Sequence, residues 1–139
     1  MEPGDDLENW LGEFLKAHGG GAGTVHLREN DILTLRAAIN IPPKVRELTH
    51  HIPRGKGMAG LAWERDRAVA TCNLKDDVSG DVRPGAKAVE AQAAVAIPVR
   101  RDDGELRAVV GIAFAAERDF SEEDLARFEQ AASKLPSAP

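Results

Sequence analysis

The chain has 139 residues, 42% hydrophobic and 29% charged, which suffices for one domain with its own core and argues against default disorder. A formal net charge of -5 offers nothing that attracts nucleic acid or anionic lipid, and no apolar run reaches membrane-spanning length. The single cysteine, Cys72, excludes an intramolecular disulfide and a multi-cysteine metal cage; with an acidic start and no apolar leader, a cytoplasmic protein is expected.

Residues 1–6 read as a leader, 7–135 as one domain and 136–139 as a tail. A helix is expected over 5–18, where Leu7, Trp10, Leu11, Phe14 and Leu15 recur at the three/four spacing of a single stripe. Asp5 with Glu8 has the form of a capping box, and Gly19-Gly20-Gly21 stops the helix. Strands over 23–30 and 32–39 follow, turned by Asn30-Asp31. Val25 and Leu27 alternate there with His26 and Arg28, which puts His26 on an exposed face. Pro42-Pro43 opens a short helix in which Val45, Leu48 and Ile52 share a face and which carries His50-His51.

Residues 54–60, R-G-K-G-M-A-G, contain the pattern G-x-G-x-x-G. A short helix over 58–65 follows, with Met58, Leu61 and Ala62 inward, then a strand over 68–72. Residues 73–92 lack firm strand signals and hold the breakers Ser79-Gly80 and Pro84-Gly85; so long a connection inside a domain usually carries function. The clearest hairpin joins 93–99 to 106–115 through Asp102-Asp103-Gly104. Both of its runs are apolar on both faces, as in central strands covered on each side, and Pro98 needs a bulge or a position without a ladder bond. A last helix over 120–135 starts at the N-cap Ser121 and carries the stripe Leu125, Phe128, Ala132 and Leu135. The order describes an α+β domain, an antiparallel sheet with helices on both faces.

A dinucleotide fingerprint must follow a buried parallel strand, open a long crossover helix and precede an acidic strand residue by about 20 positions. Here the glycines follow a hairpin and a short helix, so they are expected to be a backbone device: Gly55 and Gly57 turn the chain, and Gly60 lets the next helix approach the sheet.

With these residues in hand, the chain resembles the GAF domain family. R-G-K-G-M-A-G-L-A-W-E-R-D-R-A-V is similar to its glycine turn into a short helix. A-V-A-I-P-V-R-R-D-D-G-E-L-R-A-V-V-G-I-A-F is similar to its two central strands, and R-D-F-S-E-E-D-L-A-R-F-E-Q-A-A to its closing helix. The resemblance covers about residues 7–135. It implies a GAF/PAS-like sheet of about six antiparallel strands, a small-molecule pocket between sheet and covering loops, and dimerisation through terminal helices.

The family's branches imply different chemistries. Free methionine-(R)-sulfoxide reductases carry a cysteine where this chain has Ala59, and further cysteines in the loop matching 77–92, where this chain has none. A thiol cycle that ends in a disulfide needs two partners, which Cys72 alone cannot supply within one chain. Of the N-K…F-x-x-x-D-E pattern of cyclic-nucleotide sensors, only Phe120 and Asp124 match. Bilin carriers pair a cysteine with a histidine, whereas Cys72 precedes Asn73. Adjacent histidines on a helix point about 100° apart, so His50 and His51 cannot chelate one ion together; no metal and no cofactor are expected.

The expected function is therefore a non-catalytic sensory or regulatory module acting through a protein partner or a homodimer, since no effector domain is visible. Candidate ligand contacts are Met58, Leu61 and Trp63 from the short helix, with Thr71, Asn73 and Asp76 around the start of the 73–92 loop. Lys75, Arg83 and Lys87 would either meet an anionic ligand or form a solvated lid. The small side chains over 93–96 and 113–116 leave room for a ligand or admit a close-packed helix. Leu7, Trp10, Leu11, Phe14, Leu125 and Phe128 would either form a dimer interface or cover the sheet. The alternatives are a scaffold whose pocket is filled by its own side chains and, third, a reductase-like enzyme.

Overall fold

The computed structural model describes residues 3–71, 92–116 and 119–136. Four helices and six strands occur among them: α1 (Pro3–His18), β1 (Ala22–Glu29), β2 (Ile32–Ile39), α2 (Pro43–Leu48), β3 (His51–Pro53), α3 (Gly57–Arg65), β4 (Val69–Thr71), β5 (Ala93–Arg100), β6 (Leu106–Phe114) and α4 (Glu122–Ala132). The strands form one antiparallel sheet in the order β3-β2-β1-β6-β5-β4. The α+β class and the sheet of six strands are as expected. Residues 72–91, including Cys72, Asn73, Lys75, Asp76, Arg83 and Lys87, lie outside the described residues.

Helices cover both faces of the sheet. On one, α1 and α4 bury Leu7, Leu11, Phe14 and Phe128 against Val25, Val95, Ile97, Val110 and Ile112. On the other, α3 sets Ala62 and Trp63 against Leu33, Ala96 and Val109, while α2 sets Val45 beside Ala22 and Ala38. The central strands are thus buried on both sides, which is why β5 and β6 read as continuous apolar runs. Pro98 pairs with Val109 beyond the reach of β4, which ends its pairing at Ala96, and a bulge follows between Val99 and Arg100.

A second bulge, between Val25 and His26, decides how β2 is used. Ala37 pairs with Val25 but Leu35 with His26, leaving Arg36 as the extra residue. Apolar residues 33, 35, 37 and 39 therefore do not share a face. Leu33 and Leu35 pack toward α2 and α3, whereas Ala37 and Ile39 pack toward α1.

The glycine pattern is a closed turn. Gly55 and Gly57 have φ of 83° and 64°, angles that β-carbons resist. The Gly55 amide donates to the Gly60 carbonyl at 2.8 Å, and a β-carbon on Gly60 would lie 2.5 Å from the Pro53 carbonyl oxygen. α4 begins as expected, with reciprocal capping bonds of 3.0 Å between Ser121 and Asp124.

Several boundaries differ from the sequence expectation. α1 starts at Pro3, so Asp5 lies inside the helix rather than at its cap. α2 ends at Leu48, which is 53% exposed, and Ile52 belongs to β3, so Val45, Leu48 and Ile52 do not share a helical face. His50 and His51 are likewise not helical. They stand at the start of β3, with edge-on rings and their Nδ1 atoms 3.4 Å apart, so the argument from helical geometry does not apply to them. Among the described residues no group of three or more histidine, cysteine or acidic side chains could hold a metal ion.

Candidate functional site

A cavity of about 140 Å³ lies between the sheet and the layer of α2 and α3. An apolar cavity of about this size (~150 Å³) holds one benzene molecule. Its floor is made of short side chains: Thr24 from β1, Ala94 and Ala96 from β5, and Ala113 from β6. Its roof is Ile41, Val45 and Thr49 from around α2, with Met58 and Ala59 from the first turn of α3. No charged side chain lines it among the described residues.

The roof is held by local chemistry. Pro43 begins α2, and Arg46 donates from Nε to the Ile41 carbonyl at 3.0 Å, bracing the helix on the end of β2. The hydroxyl and the amide of Thr49 both return to the Val45 carbonyl, at 2.7 and 2.9 Å. That closure leaves the Thr49 carbonyl, one of the acceptors a helix end exposes, free to face the sheet.

His26 takes it. From β1, His26 places Nε2 2.8 Å from the Thr49 oxygen, and only 2% of the residue is exposed. This corrects the expectation of an exposed strand histidine: beside the bulge, the His26 face of β1 is covered by α2 and α3 rather than by solvent. A carbonyl can only accept, so the neutral ring carries its proton on Nε2 and leaves Nδ1 as a bare acceptor. Burial lowers the imidazole pKa to about 4; the Thr49 bond opposes this in part, and nearby His50 adds to it. Nδ1 has no hydrogen-bond partner.

Of the ligand contacts expected from sequence, Met58 lines the cavity. Leu61 and Trp63 pack instead in the apolar cluster beneath α3, with Arg28 over the Trp63 ring at 5.1 Å. Thr71 ends β4 and does not line the cavity, and Asn73 and Asp76 fall outside the described residues. The small residues behave in both expected ways: Ala94, Ala96 and Ala113 line the cavity, whereas Ala93 lies in the core under the helices. Sequence reasoning missed His26, Thr49, Ile41 and Val45 as wall residues. Of the residues expected at a dimer interface, Leu7, Leu11, Phe14 and Phe128 are buried in the chain's own core, while Trp10 and Leu125 are partly exposed.

A curled antiparallel sheet of six strands with helices on both faces defines the class of the fold, α+β. The chain belongs to the GAF domain family, whose model matches residues 8–137. No curated protein matches it significantly. Among solved structures it is similar to the type II free methionine-R-sulfoxide reductase from Thermoplasma acidophilum, at 18% identity and a TM-score of 0.77, covering 96% of this chain and 90% of that one. The free methionine-R-sulfoxide reductase from Neisseria meningitidis, in complex with its substrate, gives 20% identity and a TM-score of 0.76 over 96% and 75% of the two chains. The GAF domain of the Acinetobacter phosphoenolpyruvate-protein phosphotransferase gives 18% and 0.75 over 97% and 80%. At these identities the likeness is one of fold. Among the described residues no helix is long and apolar enough to cross a membrane.

Proposed function

We propose that this chain is a non-catalytic GAF module that binds a small molecule in the cavity under α2 and α3 and passes the event to a protein partner or a second copy. The observation that supports this reading is the cavity itself: short side chains on three strands leave space that the roof residues do not fill. A concave, mostly apolar space between packed layers is the kind of place a small ligand occupies. Among the described residues no charged side chain of its wall would meet a charged head group, and an unpaired ion there would lose hydration without compensation.

A thermal-shift and native mass-spectrometry screen of the purified protein with small neutral metabolites tests the reading. Ligands should raise the melting temperature, and Ala94→Leu, which adds three carbons to the floor, should abolish the shift while the fold survives. No stabilising compound at all would leave the scaffold reading, a module working through its surfaces alone.

The same reading predicts no turnover of free methionine sulfoxide with a thiol reductant. Ala59 contributes methyl, not thiol, to the cavity wall, and Cys72 is the chain's only cysteine. Sulfoxide consumption that disappears in Cys72→Ser would establish the enzymatic alternative.

A further inference from the structure

Resting on the reading of this cavity as a small-molecule site, we infer that the part of its ligand lying on the sheet is apolar except for one oxygen or nitrogen, which the hydroxyl of Thr24 holds over Gly111. The strand register puts the hydroxyl there. Thr24 pairs with Ala38 on one side and Gly111 on the other, and Gly111 with Ala96, so these residues form one row across β2, β1, β6 and β5. Directly opposed residues share a face of the sheet, and Thr24, Gly111 and Ala96 all line the cavity. A β-carbon on Gly111 would lie 2.6 Å from the Thr24 hydroxyl oxygen, so the hydroxyl occupies floor that an alanine at 111 would cover. Gly111 has no positive φ, and no backbone angle calls for glycine in this central strand. Glycine weakens a strand interior and marks a place of close approach; here what approaches is the hydroxyl.

Among the described residues the other polar side chains of the wall are committed or out of reach. The Thr49 hydroxyl is given to the Val45 carbonyl, and His26 Nε2 to the Thr49 carbonyl. His26 Nδ1 is sealed from the space. The Thr24 hydroxyl makes no hydrogen bond to a described residue, and its oxygen is not sealed. A hydroxyl both donates and accepts, so it serves a ligand hydroxyl, carbonyl or ether alike. Around it stand Ala94, Ala96, Ala113, Val45 and Met58, which suit a hydrocarbon or aromatic body. One placed polar group on an apolar wall fixes which way round a ligand lies.

Phenol and toluene test this, since they match in shape and differ in the hydroxyl. Both are titrated by NMR into the full chain and into Thr24→Val, which exchanges the hydroxyl for a methyl. The substitution should weaken phenol roughly fivefold relative to toluene, the worth of one ordinary hydrogen bond. Thr24→Ser, which keeps the hydroxyl, should discriminate between the probes as the unaltered protein does. In the unaltered protein the ortho protons of phenol should give stronger NOEs to the Thr24 methyl than the para proton does. Should Thr24→Val fail to fold, that order decides, and the reverse order overturns the inference. Toluene bound with phenol refused, or equal changes for both probes in Thr24→Val, would also overturn it and leave the cavity a small-molecule site. Binding of neither probe would overturn both.

Discussion

Between pH 7 and pH 4 the fold should lose about 3 kcal/mol of stability through His26 alone. An unfolded histidine titrates near pH 6.5, whereas burial holds His26 at about 4 in the folded chain. As the pH falls through this window the unfolded chain takes up a proton that the native chain refuses, so the equilibrium moves toward unfolding. Each pH unit of the gap is worth about 1.4 kcal/mol, and the loss levels off below the folded value. The groups that act on the ring are the Thr49 carbonyl, which partly resists the shift, and His50, which adds to it. Asp103, held below the usual carboxylate range by Arg101, and Asp124, held down by its bonds to Ser121, titrate below this window. Urea titrations at pH 7, 5.5 and 4 measure the effect. His26→Gln keeps an N–H for Thr49 and cannot titrate, so its stability should be nearly flat over the same range. An equal acid loss in both proteins would show that His26 is not the group responsible.

Phe128→Ala should cost about 3–5 kcal/mol, a large part of the 5–15 kcal/mol that holds an ordinary domain. Phe128 is 1% exposed at the centre of an aromatic cluster, with the His18 ring at 5.2 Å, Phe120 at 6.1 Å and Phe114 at 6.2 Å. These belong to α1, β6, α4 and the turn before α4, so truncation opens a void that no one element can close. Leu125→Ala, half-buried one turn earlier on α4, should cost well under half as much. The shift in denaturant midpoint compares the two, and similar losses would contradict the assignment of Phe128 to the core centre. The comparison also bears on self-association: Leu11 and Phe128 are unsuitable probes of a dimer because altering them destabilises the protomer itself, while Trp10 and Leu125 are partly exposed.

The elements were legible because each carries a local signal. Stripes at three/four spacing gave α1 and α4, Asp-Gly and Asn-Asp gave both hairpin turns, and double-sided apolarity gave the central strands. The glycine pattern was legible too, once its neighbours ruled out a crossover helix. The site was less so. That Ala94, Ala96 and Ala113 surround space rather than a close helix depends on how far α2 stands from the sheet, which Arg46 and Thr49 set through backbone contacts. His26 looked exposed because a polar residue between Val25 and Leu27 suggests a wet face; only tertiary packing reveals that α2 lies over it. The adjacent histidines were misplaced for a related reason, since Pro42-Pro43 marks where a helix starts but nothing after Leu48 marks its end.

The bulge at Arg36 makes the hairpin of β1 and β2 unequally tolerant of changes in length. Residues added or removed at the Asn30-Asp31 turn would alter only its tip. Deleting Arg36 would make the pairing regular and leave each neighbour on its side, Leu35 opposite His26 and Ala37 opposite Val25, whereas deleting Thr34 would put Leu33 and Leu35 on opposite faces. Arg36 itself is solvent-facing and ion-paired with Glu29, so almost any side chain would serve there. What the position supplies is a count: one residue more than its partner strand, which lets a single run of alternating leucine, alanine and isoleucine wall two separate compartments.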